Sequence, residues 1–305
     1  MKVIVSAVAF SKNQHLVTVL RSHFPDAVVN EIGKRFSFDE LVNYYQDADA
    51  VITGLERIDD KLLDRLPKLK FISKYGVGLD NIDLEACKKR SIGIGWTGGV
   101  NSRSVAEMTL GLMIMLSRNL YVTANELKAG NWNKNGGRSL SECTVGIIGV
   151  GHIGKQLVQM LQLFTKKILL NDIVELTDFV KGTAMRQVQK DEIFRQADII
   201  SIHTPLTSET ENMINRETLS LMKSHAIVIN TARGGIVNEG DLANALRAGT
   251  VGGAALDVFM EEPPRNAGFL AIPNLITTPH IGGNSMEAVL NMGYSAINHI
   301  LKFNL

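Results

Sequence analysis

Cysteine is scarce in this chain: there are two in 305 residues, Cys87 and Cys143. They form no CxxC pair and are too few for a disulfide framework or a zinc site. That fits a reducing cytoplasm, leaves both as buried packing residues, and gives no reason to expect a metal. An excess of one charge is also missing. The 32 basic and 31 acidic residues leave a net charge of +1, and the longest basic run is Lys88, Lys89 and Arg90. Nothing here resembles the electrostatic footprint that holds DNA or another polyanion, so no nucleic-acid partner is expected. Long apolar runs are absent too. The most apolar stretch, Val105 to Leu116, is interrupted by Glu107 and Thr109 and is too short to cross a bilayer, so no membrane association is expected. The opening MKVIVSAVAF imitates a signal peptide, with one lysine and small residues at Ala7 and Ala9. Cleavage there would leave no room for a signal of usual length, and a first β-strand is the better reading. Internal repeats and low-complexity linkers are lacking as well.

What the chain does have is an apolar fraction of 45% and room for about two domains, each with its own core. In the first hundred residues KVIVSAVAF, AVVN, AVITG, KFISKYG and IGIGW read as strands. Between them Asn13 to His23, Phe38 to Gln46, Asp59 to Leu66 and Leu84 to Arg90 carry helical spacing. That alternation predicts a parallel sheet with helices on both faces. Ser102 to Lys128 reads as one long or kinked helix, with Asn101 or Ser102 as N-cap and Gly130 past its end. A second alternating series follows, through TVGIIGV, KKILLND, ADIISIH, AIVINTA, GGAALDV and LITTPH, so two α/β units of doubly wound parallel sheet are expected. The final helical segment, Ser285 to Asn298, can belong to either unit by its periodicity.

The segment Gly149-Val150-Gly151-His152-Ile153-Gly154 ends one apolar strand and opens a helix. In that context the glycines permit a tight turn with close backbone approach, and the helix N-terminus offers free N–H groups to a pyrophosphate. Asp172 closes the next strand, 18 residues past Gly154, where an acid accepts from a ribose 2′-hydroxyl. No cation follows it in Ile173-Val174-Glu175, which favours NAD over NADP. A plain strand-to-helix turn, or the related turn of S-adenosylmethionine-dependent enzymes, are the competing readings of the motif alone.

In an open parallel sheet ligands lie beyond the C-terminal strand ends. Those ends carry His203-Thr204-Pro205, Arg233-Gly234-Gly235, Asp257 with Glu261 and Glu262, and His280-Ile281-Gly282-Gly283. An arginine, an acid and a histidine beside a nicotinamide suit oxidation of a 2-hydroxy acid. The guanidinium grips the carboxylate, the imidazole takes the hydroxyl proton, and the acid orients the imidazole. Singly each has a bland alternative: a loop arginine, a solvated acidic pair, a structural histidine. Spacing does not choose between His203 and His280 as the base.

NTARGGIVNEGDLANAL, AALDVFMEEPP and TTPHIGG, in that order after GVGHIG, resemble the D-isomer-specific 2-hydroxyacid dehydrogenases over essentially the whole chain. KYGVGLDNIDLEACKKR and HTPLTSET resemble the branch acting on 3-phosphoglycerate. The resemblance implies Arg233 as the substrate-carboxylate arginine, Glu262 as the partner of the histidine, and His280 as acid/base, against His203. It implies that Gly149, Gly151, His152, Ile153 and Gly154 hold the pyrophosphate of NAD and Asp172 its adenine ribose. Thr204, Thr231, Asp257, Gly282 and Gly283 would surround the remainder, and Gly76, Val77 and Gly78 would hold the substrate carboxylate by backbone. It further implies a Rossmann NAD-binding domain, residues 100–284, inserted into a flavodoxin-like substrate domain, residues 1–99 and 285–305, with the site in the cleft, Asn101 in the crossing, and a homodimer formed through the long helix. The chain departs from the branch where its relatives often carry an arginine, at Thr53. Arg57 is the nearby replacement, and Lys74 keeps a cation ahead of the Gly76–Gly78 loop. Trp96-Thr97-Gly98-Gly99 also replaces the more usual Asn-Thr-Pro. No C-terminal serine-sensing domain is expected. Substrates to weigh against 3-phosphoglycerate are hydroxypyruvate, glyoxylate and phosphonopyruvate, and a non-enzymatic NAD-sensing scaffold is the alternative outside catalysis.

Overall fold

The computed structural model describes residues 1–303, so residues 304 and 305 of the expected C-terminal segment lie outside the described residues. Two α/β units are present, one formed by Met1–Asn101 with the segment from Asn284 and the other by Ser102–Gly283.

The first unit holds five strands: β1 (Val3–Val5), β2 (Val28–Val29), β3 (Ala50–Thr53), β4 (Phe71–Lys74) and β5 (Gly93–Gly95). All pair in parallel in the order β2-β1-β3-β4-β5, the flavodoxin-like winding. β3 and β4 are buried along their whole length, as strands covered on both faces must be. β1 is shorter than MKVIVSAVAF suggests, because Ser6 makes its last ladder bond to Ile52 O at 3.1 Å and Val8–Ser11 then turns into helix. The C-terminal helix, Met286–Phe303, outruns the expected Ser285 to Asn298. Its Met292, Ala296, Ile297 and Ile300 pack among Val3, Val5, Ile52 and Phe71, which assigns it to this unit. Asn13, Asp59 and Asp83 each accept a backbone N–H at a helix start, the usual reason for short polar residues there.

The second unit holds seven parallel strands: β6 (Val145–Ile148), β7 (Ile168–Asn171), β8 (Arg186–Gln187), β9 (Ile199–Ile202), β10 (Ile227–Asn230), β11 (Gly253–Leu256) and β12 (Leu275–Thr277). Their order is β12-β11-β10-β9-β6-β7-β8. The chain winds outward from β6 through β7 to β8, then returns to β9 on the other side of β6, so the winding reverses between β6 and β9. β8, only two residues long, carries too little pattern to be read from sequence. The expected long helix is two, Ser102–Ser117 and Leu120–Lys128. Asn119 breaks it in the left-handed region at φ 51°, which asparagine tolerates. Arg118 Nε to Gly136 O at 2.9 Å and Arg138 N to Ser117 O at 2.7 Å tie the following loop across the break.

A cavity of about 220 Å³, lined in part by Cys143, Asp198, His225 and Gly253, opens at the N-terminal edge of this sheet, away from the strand ends where ligands bind. Asp198 there accepts from Thr144 N at 2.7 Å, His225 Nε2 at 2.8 Å, Lys223 Nζ at 2.9 Å and Arg138 Nη1 at 3.0 Å. Burial alone would raise its pKa, but the hydrogen bonds from Thr144 N–H and from the His225, Lys223 and Arg138 side chains outweigh it and hold the carboxyl well below the usual range. A depressed native pKa means stability that is present above the unfolded value of about 3.9 and is lost as pH falls. Asp198→Ala is therefore expected to cost about 2–4 kcal/mol in urea unfolding at pH 7, a loss limited by the partial exposure of the cations. The gap between variant and parent should narrow below about pH 4. An equal gap at pH 7 and pH 3 would show that the charge is not what stabilises.

Candidate active site

Several candidate residues of the second unit stand in or just beyond one row. Ile148 pairs with Asn171 and Ile202, Asn230 with Ile202 and Leu256, and Leu256 with Thr277. One residue beyond that last rung stand Gly149, Asp172, His203, Thr231, Asp257 and Thr278. Parallel strands thus bring to one edge residues that lie more than a hundred positions apart in the chain.

At the switch between β6 and β9 the glycine loop is fixed by close approach. A Cβ on Gly149, which has φ 93°, would meet the His203 carbonyl carbon and oxygen at 2.7 Å, and one on Gly154 would meet Gly149 O at 2.2 Å. A Cβ on Gly151 would meet nothing within 4 Å. Gly151 is the N-cap of the helix His152–Leu161, with no side chain capping it. His152 is exposed and Ile153 half-buried in the first turn. Asp172 accepts from Val150 N at 2.6 Å and from Val174 N at 3.1 Å, closing the loop, while Ile173 beside it is 95% exposed. The Thr204 hydroxyl and His203 Nδ1 are buried without a hydrogen-bond partner. A glycine cradle, uncapped N–H groups and two orphaned polar atoms fit a dinucleotide pyrophosphate. Thr231, by contrast, spends its hydroxyl on Thr109 at 3.0 Å.

His280 Nδ1 lies 2.8 Å from Glu262 Oε2. A carboxylate only accepts, so Nδ1 carries the proton and Nε2 is directed elsewhere. Glu262 Oε1 accepts from Phe259 N at 3.2 Å, and Glu239 Oε1 from Met260 N at 2.7 Å, which sets the course of the acidic loop. His280 sits in the left-handed region at φ 54°. Its loop is built around Asp257, 1% exposed, which accepts from the Thr278 hydroxyl at 2.6 Å, Ile281 N at 2.9 Å and Gly282 N at 2.8 Å. Asp257 therefore positions the histidine loop, and Ser104 Oγ donates to Gly282 O at 2.6 Å. Gly283 ends the unit, half-buried. Ser104 and Glu239 were not among the sequence candidates, because residues that hold loops carry no motif.

Arg233 is half-buried and donates from Nη1 to Ala232 O at 2.7 Å, while its own carbonyl accepts from Asn230 Nδ2 at 2.8 Å. A Cβ on Gly234 would meet Phe259 O at 1.9 Å, so the arginine segment runs against the backbone that leads into Glu262. His203 differs from His280. Desolvation pushes its pKa down to about 3, which favours the neutral imidazole, and Nε2 is 2.9 Å from Ser201 Oγ. Among the described residues no cluster of three or more His, Cys, Asp or Glu could hold a metal ion.

Lys74, Gly76, Val77 and Gly78 belong to the first unit, at the end of β4. Lys74 is buried there, with Nζ donating to Gly54 O and, at 2.6 Å, to Asn81 Oδ1. Trp96 Nε1 donates to Val77 O at 2.8 Å, so the unusual tryptophan fastens the Gly76–Gly78 loop.

A family model described as D-isomer specific 2-hydroxyacid dehydrogenase, NAD binding domain, matches residues 110–282. A D-3-phosphoglycerate dehydrogenase of Methanocaldococcus jannaschii is 36% identical over 276 residues, 89% of this chain but 53% of that protein, so the chain spans about half its length. A hydroxypyruvate reductase of Thermotoga maritima is 35% identical over 87% of each chain. The solved D-lactate dehydrogenase of Aquifex aeolicus, complexed with NAD and lactic acid, superposes with a TM-score of 0.86 at 27% identity, covering 100% of this chain and 95% of that one.

Proposed function

The chain belongs to the D-isomer-specific 2-hydroxyacid dehydrogenases, NAD-dependent oxidoreductases, and we propose that it interconverts a short D-2-hydroxy acid and its 2-keto acid with Arg233, Glu262 and His280 as its catalytic set. The observation that carries this is the His280–Glu262 contact at 2.8 Å, standing on the same sheet edge as the glycine loop and Arg233. Bound NAD supplies the acceptor for the hydride that leaves C2. Gly149, Gly151, His152, Ile153 and Gly154 receive its pyrophosphate, Asp172 its adenine ribose, and Thr204 offers its unpartnered hydroxyl. Thr231, Asp257, Gly282 and Gly283 shape the wall beyond. Arg233 binds the substrate carboxylate with its fork of donors. In the first unit the backbone of Gly76, Val77 and Gly78 is proposed to contact the substrate. In oxidation His280 Nε2 accepts the hydroxyl proton while Glu262 stabilises the imidazolium through Nδ1; in reduction the same proton returns to the carbonyl oxygen.

Two substrate readings are supported by different observations. Likeness to a D-3-phosphoglycerate dehydrogenase supports 3-phosphoglycerate, with Lys74 near its phosphate. Similar likeness to a hydroxypyruvate reductase supports small unphosphorylated acids. A second copy of this chain is the proposed partner. Its contact would use Leu120, Leu127 and Trp132, exposed by 47%, 56% and 79%, on and just after the helix Leu120–Lys128, which buries no residue.

The test is NADH oxidation by the purified protein with 3-phosphohydroxypyruvate, hydroxypyruvate, glyoxylate, pyruvate and phosphonopyruvate, and NADPH as control. Turnover with at least one acid, faster with NADH than with NADPH, is expected. Silence across the panel with NADH still bound would move the protein to an NAD-sensing role.

A further inference from the structure

β3 and β4 pair in parallel with Thr53 opposite Lys74, and Tyr75 N donates to Thr53 O at 2.9 Å. The loops that leave them, Gly54–Arg57 and Tyr75–Gly78, therefore emerge side by side from one sheet edge, about one strand spacing (~4.8 Å) apart. In the first loop the chain folds back on itself. Glu56 Oε2 accepts from the Thr53 hydroxyl at 2.9 Å and from Gly54 N at 2.7 Å. A hydroxyl and a backbone N–H converging at a strand end are the donors that one oxygen of a phosphate would take. Here a carboxylate of the chain itself occupies that position.

The nearby cations are committed to the same loop. Lys74 Nζ donates to Gly54 O and Asn81 Oδ1, and Asn81 Nδ2 donates to Glu56 O at 2.5 Å and Gly54 O at 3.2 Å. Arg57 pairs with Asp59 at 3.2 Å, its side chain 84% exposed. The lysine and asparagine act together as a clamp on the backbone that presents Glu56.

We propose that Glu56 is a specificity-determining residue: it fills the anion position at the end of β3 with the chain's own negative charge, and so selects 2-keto and 2-hydroxy acids whose only anionic group is the carboxylate. This rests on the dehydrogenase reading and on the Gly76–Gly78 loop holding the substrate carboxylate. A phosphate on C3 would have to displace the carboxylate from Thr53 and Gly54 or lie against it, and like charges brought together in a partly desolvated site are strongly disfavoured.

The experiment compares hydroxypyruvate with 3-phosphohydroxypyruvate as substrates for the full chain and for Glu56→Gln, which keeps the shape and removes the charge. The parent is expected to favour hydroxypyruvate by about 100-fold or more in kcat/KM, and Glu56→Gln should shift that ratio at least about tenfold toward the phosphorylated acid, chiefly through KM. A second measurement needs no variant: D-glycerate should inhibit the parent at concentrations where 3-phosphoglycerate does not. Comparable use of both keto acids by the parent, or an unchanged ratio in a folded Glu56→Gln, would overturn the role of Glu56 and leave the dehydrogenase standing. Failure of the parent to oxidise NADH with any of the five acids of the panel would overturn the dehydrogenase reading, and this inference with it.

Discussion

Replacing His280 with alanine is expected to lower kcat by about 1,000- to 10,000-fold while NADH binding, followed by its fluorescence, persists. The imidazole is an acid/base group at this edge whose orientation is fixed by a carboxylate. Glu262 holds Nδ1 at 2.8 Å, and the loop itself is braced by three hydrogen bonds into the buried Asp257. Because His280 has φ 54°, alanine adds backbone strain to the loss of the base. His280→Asn is the control, since asparagine tolerates that conformation, and it should lose as much activity with the fold intact. Glu262→Gln keeps an acceptor for Nδ1 but no charge to stabilise the imidazolium, and a smaller fall of about 10- to 100-fold is expected. Turnover in His280→Asn within about tenfold of the parent would remove His280 from proton transfer and reopen the choice of base.

Much of this edge could be read from the sequence because its parts are local. A glycine loop between a strand and a helix, an acid closing the next strand, and a histidine after LITTP each announce themselves within a few residues. What stayed hidden depends on pairing over distance. Arg138 reaches Asp198 from one segment and Lys223 with His225 from another, and no short window contains that cluster. The break at Asn119 is set by hydrogen bonds to the loop beyond it, and nothing in the helical spacing marks it. The terminal helix could be assigned only by what it packs on. Glu56 is legible in the sequence: Thr53-Gly54-Leu55-Glu56 has the Thr-x-x-Glu spacing of a capping box, in which the acid turns back to the residues ahead of it. Read that way, the same four residues that lack the expected arginine also supply an anion of their own, which changes what a missing cation means for the substrate.

The second large effect is expected at Arg233. Arg233→Ala should lower kcat/KM for the preferred keto acid by about 1,000-fold, with KM rising and kcat falling together, because the carboxylate would lose both its anchor and its alignment with the hydride path. Arg233→Lys restores the charge but only as a point, without the planar fork, and should recover about tenfold at most. The size of the effect follows from how the arginine is placed. Asn230 Nδ2 holds its carbonyl at 2.8 Å, Ala232 O receives Nη1 at 2.7 Å, and there is no room for a side chain at Gly234 against Phe259 O. The guanidinium thus extends from a backbone fixed to the loop that carries Glu262, so the carboxylate it grips is held in register with His280. A lysine on the same backbone would reach the carboxylate without fixing its plane, and the deficit should appear more in kcat than in KM. If Arg233→Lys matched the parent in kcat, planar recognition would play no part and the arginine would serve only to attract an anion; if Arg233→Ala kept kcat/KM within about threefold, the carboxylate would be bound elsewhere.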